Sequence, residues 1–574
     1  MNGPDGGDGR GAAAPAVPGE GVPWRAWGPA AFAEAAEAER PIFLSLQTRW
    51  CAWCRRLERE TFADRRVARL LADATVPIRV DAERYPHVRD RYVTSGWPTN
   101  AFLTPSGGVL WSGPFVEPAE LLPAARRVLA AWERQAEELE AELERRRAAI
   151  ASGRKQASRG GMPRREAADA VLTFLRQSFD ARNGGFGEAP KYPPVDAVAL
   201  LYAEAERVGD ADLVGMADRT LDGMLAGELW ERETGAFHRY ALAEDWTEPS
   251  TERLLTVNAE LARCYALSAA LRDRDDWREV AERAVAWVED ALARTHGLVA
   301  ASVAARDEDG AAVRDDTAFA DANAAWVRCL ADAGAALGKA DWVERARAAL
   351  AAARAAFDDD SASLPRHFVA EDEDGAPPRG LLVDAAELLT AAVAVARASG
   401  EAETLAYAID LAERMRAELW SEHGGFRDRP HLAGDPLGAP ERPFHENATA
   451  AAALLSLDAL AETGGARSQA ERTLALLSPT APRYGLDAAG FALATLEFFD
   501  AAPVAVVRTD SAAGPLRSAA ATSARGRCWN LTEDAPVAGR TFEAAGDPAA
   551  WVKRDGDWSG PVTEASELRA LLGG

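Results

Sequence analysis

The stretch Pro41-Ile42-Phe43-Leu44-Ser45-Leu46, followed closely by Trp50-Cys51-Ala52-Trp53-Cys54, decides how the N-terminal part of this chain folds. A short, nearly continuous apolar run reads as a strand buried on both faces, and it places Cys51 at a strand-to-helix junction. From Cys54 to Leu71 the apolar residues Leu57, Phe62, Val67, Leu70 and Leu71 recur at roughly helical spacing. A Cys-X-X-Cys at such a junction has a physical purpose. The unpaired N–H groups and dipole of a helix N-terminus favour the thiolate of the first cysteine. Cys51 is thereby the candidate nucleophile and Cys54 the resolving thiol. The motif alone also suits half of a zinc site, although no second pair or nearby histidine cluster completes four ligands. A module that only packs or docks a partner is the other alternative.

Working outward, Ala30 to Arg40 reads as a helix and Val76 to Val80 as a second strand. A short helix follows around Val88 to Tyr92. Trp97-Pro98 leads into Ala101-Phe102-Leu103, the turn Ser106-Gly107-Gly108 precedes the strand Val109-Leu110-Trp111, and Ala119 to Trp132 closes as a helix. This order predicts a thioredoxin-like α/β domain over residues 22–133, behind a Gly/Ala/Pro-rich leader at 1–21 expected to be disordered. Pro98 is expected to form a cis peptide opposite the cysteine pair and to order a substrate backbone. Residues 134–164 are highly charged and read as a linker helix that breaks at Gly153 and Gly160-Gly161.

From 165 to 500 the pattern is helix after helix, about twelve in all, with long loops carrying related features. These are Gly184-Gly185-Phe186-Gly187, Gly235-Ala236-Phe237, His296-Gly297-Leu298, Leu364-Pro365-Arg366-His367-Phe368 and His423-Gly424-Gly425-Phe426. The recurrence predicts six helical hairpins closed into an all-α (α/α)6 toroid, with these loops gathered at one rim. The remainder, 501–574, contains Val504-Ala505-Val506-Val507, Trp551-Val552-Lys553 and a closing helix from Glu564 to Leu572, and reads as a small α/β appendage.

The chain has 574 residues, more than one core usually serves, and a formal net charge of −25 from 90 acidic and 65 basic residues. That charge disfavours nucleic acid as a partner. Lysine is found at Lys155, Lys191, Lys339 and Lys553, and arginine supplies the other positive charge, a pattern resembling halophilic, salt-adapted proteins. No apolar run is long enough to span a membrane and the start lacks the hydrophobic core of a signal peptide, so a cytoplasmic location is expected. Cys264 and Cys329 fall on apolar helical stripes and are expected in the core, and Cys528 has no evident partner. No Gly-rich phosphate loop or complete ligand set points to a cofactor or a metal.

Arg40-Pro41-Ile42, Cys51-Ala52-Trp53-Cys54, Glu58-Arg59-Glu60-Thr61-Phe62, Val80-Asp81-Ala82-Glu83, Gly96-Trp97-Pro98 and Phe102-Leu103-Thr104-Pro105 together resemble the spermatogenesis-associated protein 20 family of thioredoxin-like proteins. The resemblance implies a second, six-hairpin glycosidase-like domain. It extends to Asn183-Gly184-Gly185-Phe186-Gly187-Glu188-Ala189-Pro190-Lys191-Tyr192-Pro193 and Ala236-Phe237-His238-Arg239-Tyr240. Where the family usually carries histidines after the two cysteines, this chain has Ala52 and Arg55. The family's segment at 250–258 keeps Glu252 and Asn258 but loses a histidine and an aspartate.

Sugar sites in toroids need paired carboxylates and aromatic platforms. The candidate substrate-binding residues are Lys191, Tyr192, His238, Arg239, Trp246, Glu252 and Asn258, with Asp321, Asn323, Asp384, Glu387, His445, Glu446 and Asn447 also near inner-helix starts. Asp and Asn at helix starts are equally expected as caps, and aromatics beside glycine loops as packing. Three functions follow. The first is a thiol-disulfide protein with Cys51, Cys54 and Pro98 at its site and an unknown protein disulfide as partner. The second is a carbohydrate-active enzyme of the glycosidase or sugar-epimerase type in the toroid, and the third a noncatalytic scaffold.

Overall fold

The computed structural model describes residues 21–93, 96–157, 161–306, 312–358, 363–371, 377–431, 435, 437–461, 463–508, 514–521, 523, 527–531, 537, 540–542, 548 and 549–572. The expected disordered leader lies almost wholly outside them. Two compact units result, one comprising Met1–Gln156 with Val369–Pro378 and His431–Pro440, the other the rest. Among the described residues no helix is long and apolar enough to cross a membrane.

In the first unit the elements run α1 (Pro29–Glu37), β1 (Ile42–Gln47), α2 (Ala52–Leu57), α3 (Arg65–Ala74), β2 (Val76–Asp81), α4 (Pro86–Tyr92), β3 (Thr99–Leu103), β4 (Val109–Gly113) and α5 (Pro118–Ala157). The sheet order is β2-β1-β3-β4, with β1 and β2 parallel and β3 and β4 antiparallel. Both faces of β1 are covered. Ile42, Leu44 and Leu46 pack with Phe32, Val88 and Tyr92 on one side, and Phe43 packs with Leu57, Phe62, Leu71 and Leu121 on the other. Double burial explains why the strand reads as an unbroken apolar run instead of an alternating one.

Two expectations need correction. The helical spacing from Cys54 to Leu71 is interrupted, because α2 ends at Leu57, a π-turn fills Glu58–Phe62, and Asp64 caps a new helix by accepting the N–H groups of Arg66 (2.8 Å) and Val67 (3.4 Å). The linker helix does not break at Gly153, since α5 runs on to Ala157 with one kink at Gln135. One glycine costs a helix only about 1 kcal/mol, which the surrounding Ala, Glu and Arg residues offset.

The second unit is built on α6 (Arg165–Ser178), α7 (Val195–Val208), α8 (Ala211–Ala226), α9 (Leu255–Arg272), α10 (Asp275–Ala291), α11 (Ala320–Leu337), α12 (Ala340–Phe357), α13 (Leu382–Ser399), α14 (Ala402–Leu419), α15 (Phe444–Ala461), α16 (Ala466–Leu477) and α17 (Ala489–Phe499). Helices α7, α9, α11, α13, α15 and α17 each pack on the next, and α17 returns to α7, closing an inner ring. Each inner helix also packs on an outer one: α8, α10, α12, α14 and α16 follow their partners, and α6 covers α17. This is an (α/α)6 toroid. The loops before the inner helices carry short ribbons, β5 (Arg253–Leu254), β6 (Ser302–Arg306), β7 (Ala312–Asp315), β8 (Ala318–Phe319) and β9 (Phe368–Val369). The C-terminal segment forms a four-stranded sheet, β11-β10-β12-β13, from β10 (Val504–Arg508), β11 (Arg527–Leu531), β12 (Ala549–Arg554) and β13 (Asp557–Val562), backed by α18 (Pro515–Ala521) and α19 (Ala565–Leu572).

One device recurs at the toroid rim. Asn258, the fourth residue of α9, accepts the N–H of Phe237 (2.7 Å) and donates to the carbonyls of Phe237 (3.0 Å) and Leu254 (2.9 Å). Asn323 of α11 treats Val299 and Phe319 in the same way, and Asn447 of α15 treats Phe426 and Pro443. Each amide pins the loop that precedes its helix. Glycine is required beside the clamp: Gly425 has φ 72°, and a Cβ there would meet Leu476 Cδ2 at 2.6 Å and Asn447 Oδ1 at 3.0 Å. Removing a clamp strands the buried N–H of the loop. Asn258→Ala and Asn447→Ala are each expected to destabilise the toroid by about 2–4 kcal/mol in urea unfolding. Equal stability to the parent would show that the clamps do not hold the rim.

Candidate functional site

At the end of β1 the chain turns through Thr48 to Trp50, and Cys51 becomes the N-cap of α2. Its Sγ accepts the backbone N–H of Cys54 at 3.1 Å. Both cysteines are free thiols, and both lie below the surface, 3% and 2% exposed. Burial, and then the neighbouring Cys51 sulfur, push the Cys54 thiol far up, so Cys54 is held protonated. The Trp97-Pro98 peptide is cis, Pro98 is buried, and Trp97 meets Trp50 edge-on at 6.4 Å, which joins the proline loop to the cysteine turn. Trp53, between the cysteines, is 52% exposed; it lies 5.3 Å from Phe115, with Arg56 over both rings.

In the toroid, six of the seven candidate substrate-binding residues lie in the loops before α7 and α9 and the seventh, Asn258, at the start of α9, but they divide by role. Lys191 is buried, with Nζ on Asp180 (2.5 Å) and the Gly184 carbonyl (2.9 Å) and over the Trp246 ring at 5.5 Å. Trp246 itself is 1% exposed and donates from Nε1 to the Asn183 carbonyl. Burial works against the Asp180 carboxylate, but Lys191 and the N–H groups of Asn183 and Arg182 outweigh it and hold the pKa well below the usual range. Lys191, Trp246 and Asn258 thus hold the loops together. Tyr192 faces outward, stacked on Tyr240 at 4.9 Å with Arg239 over both rings at 5.9 and 5.6 Å. Behind this step Glu252 is buried with Oε2 lacking a hydrogen-bond partner, and its carbonyl accepts the Arg239 N–H. His238 is buried with Nδ1 likewise unpartnered. Burial, then the positive field of Arg253, pull the His238 pKa below the usual imidazole value.

Sequence reasoning missed a network along the inner helices. Arg263 pairs with Glu260 (3.2 Å) and Asp332 (3.5 Å), Arg328 with Glu260 (3.6 Å) and Asp332 (3.8 Å), and Arg397 with Asp332 (2.7 Å). Its signal was available as charged residues inside otherwise Ala- and Leu-rich helices. Beside it burial pushes the Glu387 carboxyl up to about 7, with Arg328 opposing.

His238 gives a pH prediction. A depressed imidazole pKa means that the unfolded chain takes up the proton first, so this group's contribution is unchanged above about pH 6.5 and turns against folding as pH falls below it. NMR titration is expected to place the His238 midpoint below 6.5, and His238→Phe is expected to flatten the stability profile between about pH 7 and 5. A midpoint at or above 6.5 would contradict the buried, neutral imidazole.

Comparison with known proteins follows these two regions. Residues 17–153 match the family Thioredox_DsbH, described as a protein of unknown function, DUF255. Spermatogenesis-associated protein 20 of Homo sapiens is 28% identical over 298 residues, which cover 48% of this chain and 38% of that protein. Uncharacterized protein B0495.5 of Caenorhabditis elegans is 29% identical over 272 residues, covering 44% and 37%. The matched region thus spans under two fifths of these relatives' length. Among solved structures, cellobiose 2-epimerase from Spirochaeta thermophila aligns with a TM-score of 0.45 at 15% identity over 54% of this chain and 83% of that one. Unsaturated glucuronyl hydrolase from Bacillus sp. GL1 aligns with a TM-score of 0.40 at 15% identity over 58% and 94%. Such distant likenesses say nothing of the toroid's chemistry. The chain is therefore similar to spermatogenesis-associated protein 20 over about half of its own length, and its residues 17–153 match the thioredoxin-like family of unknown function, DUF255.

Proposed function

We propose that the N-terminal domain performs thiol-disulfide exchange with a protein disulfide. The observation that carries this reading is the position of Cys51 at the N-terminus of α2, its sulfur accepting the Cys54 N–H while burial keeps Cys54 protonated. An N–H donor and the helix dipole stabilise negative charge on Cys51, so the two thiols are unequal in the sense exchange requires.

The Cys51 thiolate attacks one sulfur of the client disulfide. A Cys51–client bond forms, the client S–S bond breaks, and the departing client sulfur leaves as a thiolate that takes a proton from water. Cys54 then loses its proton and attacks the Cys51 sulfur, which releases the second client thiolate and leaves a Cys51–Cys54 disulfide. Two electrons pass to the client, and a dithiol reductant restores the pair. Pro98, on the loop that meets the cysteine turn through Trp97 and Trp50, orders the client backbone, and Trp53 with Phe115 offers it apolar surface. Ala52 and Arg55 supply no imidazole, so proton transfer passes through solvent.

Cys54→Ser is expected to accumulate mixed disulfides at Cys51, identified by mass spectrometry after acid quenching, and Cys51→Ser/Cys54→Ser to trap none. In the parent, Cys51 should alkylate at neutral pH roughly tenfold faster than Cys54 or more. Absence of adducts together with an unreactive Cys51 would make this domain a packing module.

The exposed Tyr192–Tyr240 stack under Arg239 favours a second reading, in which the toroid binds a carbohydrate-like ligand with a ring laid on Tyr192. Binding of a sugar panel followed by NMR, lost in Tyr192→Ala, tests it; no binding in the parent removes it.

A further inference from the structure

Three of the rim loops are pinned by an asparagine, and the loop before α13 departs from them at both ends of the clamp. The loop residues are aligned by a shared backbone bond: the N–H after the clamped residue donates to a carbonyl at or just beyond the end of the preceding outer helix, as in His238 to Leu229, Ala300 to Leu292 and Arg427 to Leu419. The same bond from Arg366 to Phe357 puts Pro365 at the clamped position. Proline has no N–H to offer, and α13 carries Ala385 as its fourth residue, where α9, α11 and α15 have Asn258, Asn323 and Asn447.

What stands there instead is a cluster from three elements. Asp321 is the second residue of α11, His367 directly precedes β9, and Asp384 is the third residue of α13. The Ala320 N–H donates to the His367 carbonyl at 2.8 Å and so brings that loop onto the start of α11. One ring nitrogen and one oxygen from each carboxylate lie within 4.8 Å of one another. His367 is 2% exposed and Asp384 is fully buried, with His367 Nδ1 2.8 Å from Asp384 Oδ1.

The Asp321 N–H also supports the Asp384 carboxylate, and Asp321 Oδ1 accepts the Ala322 N–H at 2.8 Å, yet the second oxygen of Asp384 stays buried with no hydrogen-bond partner. Among the described residues neither carboxylate forms a salt bridge to Lys or Arg. A buried carboxylate oxygen without donor or cation is costly.

We propose that Asp321, His367 and Asp384 form a binding site for one divalent first-row metal ion, Zn2+ or Mn2+. One imidazole with two carboxylates is a ligand set for such ions, and softer, thiolate-preferring metals find no sulfur there. Adjacent ligands on bonds of about 2.0 Å sit roughly 3.2 Å apart, so the 2.8 Å between His367 Nδ1 and Asp384 Oδ1 widens by a few tenths of an ångström around an ion. Half-buried Asp321 leaves the remaining coordination positions to water or a ligand.

The test uses the full chain, stripped with chelator and dialysed. Zn2+ and Mn2+ titrations by calorimetry, with elemental analysis after desalting, are expected to give about one ion per chain and a melting temperature raised by the ion and lowered again by chelator. Asp384→Asn and Asp321→Asn should each weaken binding at least tenfold with circular dichroism unchanged. Asp321→Asn, at a half-buried helix start, provides the reading if Asp384→Asn fails to fold. Co2+ offers a second readout, since its visible d–d absorption should appear in the parent and vanish in Asp321→Asn. Retention of less than about 0.1 ion per chain, or variants that bind like the parent and so locate the ions on the acidic surface, would overturn the site.

Discussion

An inner helix such as α13 is apolar around most of its circumference, with Leu382, Ala385, Leu388, Leu389, Ala392, Val393 and Ala396 all buried. Such a helix is stable only when covered on every side. Two ring neighbours and one outer helix do this for α13, and the same need repeated six times closes the ring. The rest of the second unit depends on that constraint. Loops before inner helices must return from the outer layer, and they carry the aromatic and charged residues of the rim.

Three of the six inner helices, α9, α11 and α15, hold those loops in one shared way. The asparagine clamps at 258, 323 and 447 spend both Nδ2 hydrogens and one bond to Oδ1 on backbone groups. Deviations from the pattern are therefore informative in a way the pattern is not. Pro365 and Ala385 cannot form the clamp, and the charged trio that replaces it exceeds what a tie requires. The same reasoning divides Lys191, consumed by Asp180 and Gly184, from Tyr192, which stays open to solvent one residue later.

In the first unit the corresponding constraint is the doubly covered strand β1. Its rigidity sets the turn from Thr48 to Trp50 and hence the position of Cys51 over α2. The asymmetry between the two thiols comes from that placement. One sulfur meets an N–H at a helix start, and the other is buried one turn further on, where ionisation is opposed.

By itself the sequence determined the elements whose signal is local: the apolar run 41–46, the cysteine pair beside it, the glycine-aromatic loops and the helical period between them. The thioredoxin-like sheet and the six-hairpin toroid follow from these, because period and turn chemistry act over a few residues. Helix boundaries depended on single side chains, as Asp64 shows by starting α3 inside an apparently continuous pattern. Only the tertiary structure decided what each candidate residue does. Asn258 and Tyr192 are both plausible ligand contacts as letters, yet one faces a buried loop and the other solvent. Asp321, His367 and Asp384 are tens of residues apart in sequence and converge only when the ring closes. Convergence of this kind is set by long-range packing, to which neither composition nor spacing along the chain gives access.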